Sequence, residues 1–288
     1  MEQKTSLIVR QSDAMTTYVN ANEVPMRKSG QIRLYDESGF AGMRAAGQLT
    51  AECLDLVGPL VKPGVTTQEL DDFIFQFALD NNSVAATLNY RGYTHSSCIS
   101  LNHVVCHGIP DDKALKDGDI LNIDVTLIVD GWHGDSSRMY VAGNTKRAAE
   151  RLIDVTYECL MRGLSATVPG NTTGDIGHAI QVYAEGQRCS VVRDFCGHGL
   201  GQLFHDEPNI LHYGRPGEGV VLRPGMFFTI EPMINLGRPQ VKVKRDGWTA
   251  VTRDRSLSAQ FEHSVGVTES GCEIFTTSLS GLHKPNFA

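Results

Sequence analysis

Polar residues dominate the first 36 positions and no period holds there, so the pattern predicts an N-terminal extension, 1–36, partly ordered at best. From Glu37 the spacing turns helical, with Leu49, Cys53, Leu56, Val57 and Leu60 on one face. Pro63-Gly64 breaks that helix. Thr66-x-x-Glu69 then has the spacing of a capping box, in which hydroxyl and carboxylate satisfy each other's backbone N–H groups. It opens a second helix that buries Leu70, Phe73, Ile74 and Phe77.

The same order of elements returns. Glu52-Cys53-Leu54 recurs 106 residues on as Glu158-Cys159-Leu160, and Pro63-Gly64-x-Thr66-Thr67 recurs as Pro169-Gly170-x-Thr172-Thr173. Leu70, Ile74 and Ala78 recur as Ile176, Ile180 and Ala184. Three motifs in register over 27 positions are hard to dismiss as chance. The repeat continues into strands at an offset of 107, where Leu115-Lys116-Asp117-Gly118-Asp119-Ile120-x-x-Ile123-Asp124 matches Leu222-Arg223-Pro224-Gly225-Met226-Phe227-x-x-Ile230-Glu231. Each copy ends in a carboxylate, and each is followed by a returning strand that carries another, Asp135 in the first and Glu262 in the second. The second hairpin is about twenty residues longer, through Lys242 to Leu257.

A repeat of this length is a duplicated half-domain, since solenoid units are shorter and more numerous. The expected fold is therefore α+β, with two pseudo-symmetric halves (approximately 37–142 and 143–278) of helices packed on a central antiparallel sheet. Together with a short C-terminal tail they make one catalytic domain, 37–288.

The four repeated carboxylates change the picture from fold to chemistry. Asp130-Gly131 is a two-residue turn signal, which sets residue 126 opposite 135 and leaves Asp124 on the diagonal from Asp135, roughly 7–8 Å away at the backbone. Asp124 lies among Ile120, Leu121, Ile123, Val125 and Leu127, and Glu231 within Phe227-Phe228-Thr229-Ile230-Glu231-Pro232-Met233. Acids in such strands need a partner because an unpaired buried charge is costly, and these segments hold too few lysines or arginines to supply one. Metal cations would. Two divalent ions neutralise the four charges, and one imidazole completes an oxygen-rich donor set suited to manganese, iron or cobalt, with zinc open.

The candidate imidazole is His198, in Cys196-Gly197-His198-Gly199-Leu200-Gly201. A phosphate loop is the rival use of those glycines, but the spacing is not that of G-x-G-x-x-G and no helix is expected after it. His107 falls at a strand end before Gly108-Ile109-Pro110, a place that suits a structural histidine, and Cys106 beside it reads as a buried, inert thiol. Histidines 95, 103, 133, 178, 212, 263 and 283 read as surface groups or as neighbours of the site.

Composition narrows the class. A net charge of −7 argues against a broad nucleic-acid footprint, and no apolar run approaches the ~18 residues of a membrane span. Seven cysteines without a Cys-x-x-Cys pair point to reduced thiols. In the first thirty residues Leu7-Ile8-Val9 runs at once into Arg10-Gln11, and Glu2, Asp13 and Glu23 are out of place in a transit peptide. The expected address is cytoplasmic.

Taken jointly, several motifs are highly specific: Val105-Cys106-His107-Gly108-Ile109-Pro110, Asn122-Ile123-Asp124-Val125, His133-Gly134-Asp135, Gly197-His198-Gly199, Phe204-His205-Asp206-Glu207-Pro208, Thr229-Ile230-Glu231-Pro232-Met233 and Ser258-Ala259-Gln260-Phe261-Glu262-His263. From about Tyr35 to Ser278 the sequence resembles the type I methionine aminopeptidases, which have the creatinase-like pita-bread fold. The resemblance implies two metals on Asp124, Asp135, His198, Glu231 and Glu262, with Asp135 and Glu262 bridging. It implies catalytic roles for His107, His205 and Glu231, and a methionine pocket of Tyr90, Tyr93, Cys98, Phe204 and Trp248 that also meets His107 and His205. Aromatic faces and a cysteine sulfur suit a polarisable thioether.

The implied substrate is the N-terminal methionine of nascent chains with a small second residue. A monomer in transient contact with the ribosome, without a specific nucleic-acid or membrane site, is then expected. Two positions depart from the bacterial pattern: Arg91 stands where many members have histidine, and Thr87 where they often have cysteine. The rivals are a proline-specific peptidase of the same fold, a non-catalytic relative, and a two-metal phosphatase or nuclease.

Overall fold

The structure is a computed structural model, and it describes residues 16–287; the part of the extension and leader reading that falls on residues 1–15 lies outside it. Two short strands come first, β1 (Tyr18–Asn20) and β2 (Ile32–Leu34), paired in parallel. Polarity assigned this stretch to an extension, yet Ile32, Arg33 and Tyr35 are all buried. Its burial depends on partners far along the chain, which no local period records.

Each half then opens with a pair of helices. In the first, α1 (Glu37–Val57) is capped by Asp36, whose carboxylate accepts from the N–H groups of Ser38 and Gly39, and α2 (Thr67–Asp80) has the Thr66–Glu69 capping box. In the second, α3 (Arg147–Ala166) is followed by α4 (Thr173–Gly186), which carries the equivalent box from Thr172 and Asp175.

The duplication reaches individual hydrogen bonds. Gly64 N–H donates to Leu115 O at 2.8 Å, and Gly170 N–H to Leu222 O at 3.0 Å. Gly118 and Gly225, at φ +92° and +89°, make matching turns that a side chain would strain; their N–H groups donate to Ala142 O and Val267 O.

Between the first helix pair and its hairpin lie β3 (Val84–Ala85), β4 (Cys98–Leu101) and β5 (Val104–Cys106). The hairpin itself is β6 (Ile120–Val129) and β7 (Trp132–Val141), with β3 and β4 on the other side of β6. The second half supplies β8 (Ser190–Val191), β9 (Gly197–Gly199), β10 (Asp206–Ile210), β11 (Phe227–Ile230) and β12 (Met233–Asn235). The extra length of its hairpin forms β13 (Val241–Val243) and β14 (Ala250–Thr252), before the return through β15 (Ser258–Gln260), β16 (His263–Val267) and β17 (Cys272–Ile274). β11 pairs with β16 and β12 with β15, all antiparallel.

Each half has its own apolar core. Leu54, Leu70, Ile74, Leu121 and Ile123 centre the first, and Leu152, Ile180, Phe228, Ile230 and Phe261 centre the second. The halves meet along the return strands. Glu262 N–H donates to Ser137 O at 3.0 Å, Ser136 Oγ to Glu262 O at 2.7 Å, and Asn122 Nδ2 to Gln260 O at 2.8 Å. Asp135 and Glu262 are thus carried to the seam. Among the described residues no helix is long and apolar enough to cross a membrane.

Candidate metal centre

The β6–β7 register is the one the turn signal predicts. Asp130 and Gly131 both take positive φ, Val129 pairs with Trp132 and Thr126 with Asp135, which leaves Asp124 opposite Ser137 on one side and Cys98 on the other. In the second half the ladder runs from Ile230↔His263 to Met233↔Gln260 and breaks between them at Glu231-Pro232 and Phe261-Glu262. Pro232 has no N–H to donate, so the break frees Glu231 and Glu262 from regular pairing.

Asp135, His198 and Glu262 each place one donor atom within 4.8 Å of the other two. His198 Nε2 lies 3.6 Å from Asp135 Oδ2 and 3.8 Å from Glu231 Oε1. Asp124 joins through its charge, which acts on the carboxyls of Glu231 and Glu262. Among the described residues no lysine or arginine forms an ion pair with any of the four acids.

Burial, followed by mutual repulsion, holds Asp124, Glu231 and Glu262 well above the usual carboxylate range. Asp135 is pushed up to about 7 by burial, against the opposing hydroxyl of Thr126. Burial takes His198 down to about 4, so its imidazole is neutral and free to act as a ligand. Three acids gathered at one imidazole, with the charge of Asp124 acting on two of them and no lysine or arginine ion pair among the described residues, fit divalent ions and are costly without them.

Neighbours that the sequence did not single out orient these groups. Thr126 Oγ1 donates to Asp135 Oδ1 at 2.7 Å, Thr229 Oγ1 to Glu231 Oε1 at 2.8 Å, and Gln260 Nε2 to Glu231 Oε2 at 3.3 Å. Glu231 N–H donates to Nε2 of His212, which is 1% exposed and held neutral by burial. His133 and His263 are also buried, the first stacked on Phe204 and the second hydrogen-bonded at Nδ1 to the Thr276 hydroxyl. Gly199 follows His198 in a stretch where a β-carbon would lie 2.0 Å from Glu207 O, which explains why glycine flanks that ligand.

Two aromatic groups adjoin the cluster. On one side the His205 ring lies 4.1 Å from His198 and 4.2 Å from Phe204, and Tyr90 Oη is 3.0 Å from His205 Nδ1. On the other, Trp248 meets Tyr93 at 5.1 Å and His107 at 6.1 Å. Phe195, another residue the pattern did not reveal, packs on His107 at 5.4 Å. His107 follows β5 at φ +54°, and burial lowers its pKa, as it does that of His205. The Arg91 guanidinium stacks 5.2 Å from the Tyr90 ring centre, and Thr87 Oγ1 donates to His95 O at 3.1 Å.

The model of metallopeptidase family M24 matches residues 41–269. A methionine aminopeptidase of Rickettsia prowazekii is 55% identical over 257 residues, 89% of this chain and 99% of the relative. One of Escherichia coli K12 is 53% identical over 236 residues, 81% of this chain and 89% of the relative. The crystal structure of methionine aminopeptidase from Rickettsia prowazekii superposes with a TM-score of 0.85 at 56% identity, covering 86% of this chain and all of that one. A prolidase from Pyrococcus furiosus shares the fold, with a TM-score of 0.68 at 19% identity over 85% of this chain and 65% of that one. The motifs, the duplicated fold and these relatives lead to one assignment: the chain belongs to metallopeptidase family M24, in its methionine aminopeptidase branch.

Proposed function

We propose that this chain removes N-terminal methionine from nascent proteins and peptides with a small second residue, using two divalent ions held by Asp124, Asp135, His198, Glu231 and Glu262. Asp135 and Glu262, which come to the seam from opposite halves, would hold the ions together with the other three residues. The observation that carries this reading is a junction. Residues proposed to receive the methionine side chain adjoin the acidic cluster at two points, where Cys98 pairs with Asp124 and where His205 lies against His198.

Bound ions supply Lewis-acid polarisation of the scissile carbonyl and make the attacking water more acidic. The chain does the rest. Glu231, held by Thr229 and Gln260, takes the proton from that water and returns it to the leaving amine. In the tautomer with its proton on Nε2, the neutral His205 accepts from the Tyr90 hydroxyl at Nδ1 and donates a hydrogen bond to the oxygen that gains charge, a contact on the order of 3 kcal/mol. His107 holds the scissile amide nitrogen. Tyr93, Cys98, Trp248, Tyr90 and Phe204 receive the methionine side chain. A free α-amine fits beside the acids, which confines cleavage to the first bond.

The ions are drawn from cobalt, manganese, iron and zinc. A cytoplasmic address is supported by seven free thiols, and ribosome contact by the exposed cations Lys242, Lys244, Arg245, Arg253 and Arg255 around the β13–β14 hairpin. Metal analysis paired with release of methionine from Met-Ala-Ser tests the reading, with an Ala-Pro peptide as the contrast. Glu231→Gln is expected to abolish turnover while peptide binding survives; turnover by that variant would remove the proposed base.

A further inference from the structure

Residues 16–36 precede the stretch matched by the family model, yet two of their side chains are buried against the loop that carries Phe204 and His205. Arg33, in β2, is 3% exposed. Its Nε donates to Asp206 Oδ2 at 3.0 Å, and its Nη2 to the carbonyls of Pro25 and Arg27, both at 2.8 Å. Asp206 is equally buried, and among the described residues Arg33 is its one ion-pair partner. The Asp206 backbone pairs with Gly199, so the residue after His205 is locked to the residue after His198.

Tyr35 grips the other end of the loop. Its ring stacks on Phe227 with centres 4.5 Å apart and planes 5° from parallel. It packs so closely on Gly201 that a β-carbon there would lie 2.6 Å from the hydroxyl oxygen. Gly201 O in turn accepts from His133 N–H at 2.9 Å. Both ends of the segment 201–206 are therefore held by one short piece of chain from outside the catalytic halves.

We propose that Arg33 and Tyr35 are positioning residues, which fix both ends of segment 201–206 and so set His205 in place beside His198. Neither is placed in contact with substrate, and the inference rests on the aminopeptidase reading, in which His205 meets the reacting oxygen. Stability alone is a poor reason for the pair. Replacing a buried ion pair by neutral groups of similar size is often harmless, whereas breaking it from one side leaves a buried charge unpaired. What the pair supplies is geometry: one planar guanidinium reaches a carboxylate and two carbonyls on separate segments.

The energetics define the test. Arg33→Met alone leaves Asp206 unpaired and is expected to lower the melting temperature. Arg33→Met with Asp206→Asn removes both charges and is expected to melt close to the wild type. In that double variant, with metal supplied and Met-Ala-Ser as substrate, kcat is expected to fall about tenfold while KM holds, the signature of a misplaced catalytic group. In a His205→Ala background the same double substitution is expected to add nothing, because its effect passes through that imidazole.

Without metal, amide hydrogens of 201–206 in the double variant are expected to exchange about tenfold faster than in the wild type. If the double variant does not fold, Tyr35→Phe carries the same readouts with a smaller fall. A folded variant with wild-type kcat and protection overturns the proposal, as does an equal further loss in the His205→Ala background. Failure of the wild type itself to release methionine removes the aminopeptidase reading and this role with it; a working wild type beside an indifferent variant removes the positioning role alone.

Discussion

Metal and fold stability should be tightly linked in this chain, and the order of melting temperatures tests that link. Asp135 and Glu262 are 4% and 3% exposed, and their donor atoms lie within 4.8 Å of each other and of His198. Two carboxylate charges at that distance repel by about 3 kcal/mol at an effective dielectric of about 20, before protonation relieves part of it. Ions that bind only the folded chain reverse this. One site filled at a hundredfold excess over its dissociation constant contributes about 2.7 kcal/mol.

For a chain of this size that corresponds to a rise of about 5 °C, and about 10 °C for two sites. The assay is calorimetry of chelator-treated protein, scanned alone and with manganese. Asp135→Asn removes one like charge and one ligand, so it is expected to melt at or above the metal-free wild type and to lose most of the rise. A wild type that melts at the same temperature with chelator and with manganese refutes the reasoning. So does an Asp135→Asn variant that melts below the metal-free wild type.

Thr126→Val deletes the hydroxyl that donates to Asp135 Oδ1 and keeps the side chain's shape; calorimetric titration should then show manganese affinity lower by about tenfold or more, and unchanged affinity would remove the orienting role. Gly199→Ala puts a β-carbon 2.0 Å from Glu207 O, so β9 and β10 must separate. The expected loss of stability is about 1–3 kcal/mol, with loss of turnover, measured by denaturant unfolding; a wild-type midpoint would contradict the close approach.

What the sequence revealed was whatever repeats or alternates. Thr66 and Thr172, Gly118 and Gly225, and the paired carboxylates stood out because duplication writes each twice, and Asp130-Gly131 set the register of Asp124 and Asp135 through turn geometry alone. The groups that went unseen act once and at a distance. Arg33 finds Asp206 across 173 positions, and a single buried arginine has no period. Thr126, Thr229 and Gln260 are ordinary strand residues until the fold aims them at carboxylates. Phe195 lies in an irregular stretch before β9, where only the packed ring of His107 gives it meaning.

The seam between the two halves has one more consequence. Two copies of a half-unit on separate chains would have to change together, so any residue placed near their axis would appear on both sides. Joined in one polypeptide, the copies are free to diverge. A lone imidazole can enter from the second half while the first half supplies Cys98 and the Tyr93 wall, and the extra twenty or so residues of the longer hairpin can bring Trp248 to one side only. A peptide is itself directional, with an amine at one end and a chain running away from the other. Covalent fusion is what lets a duplicated scaffold tell those ends apart.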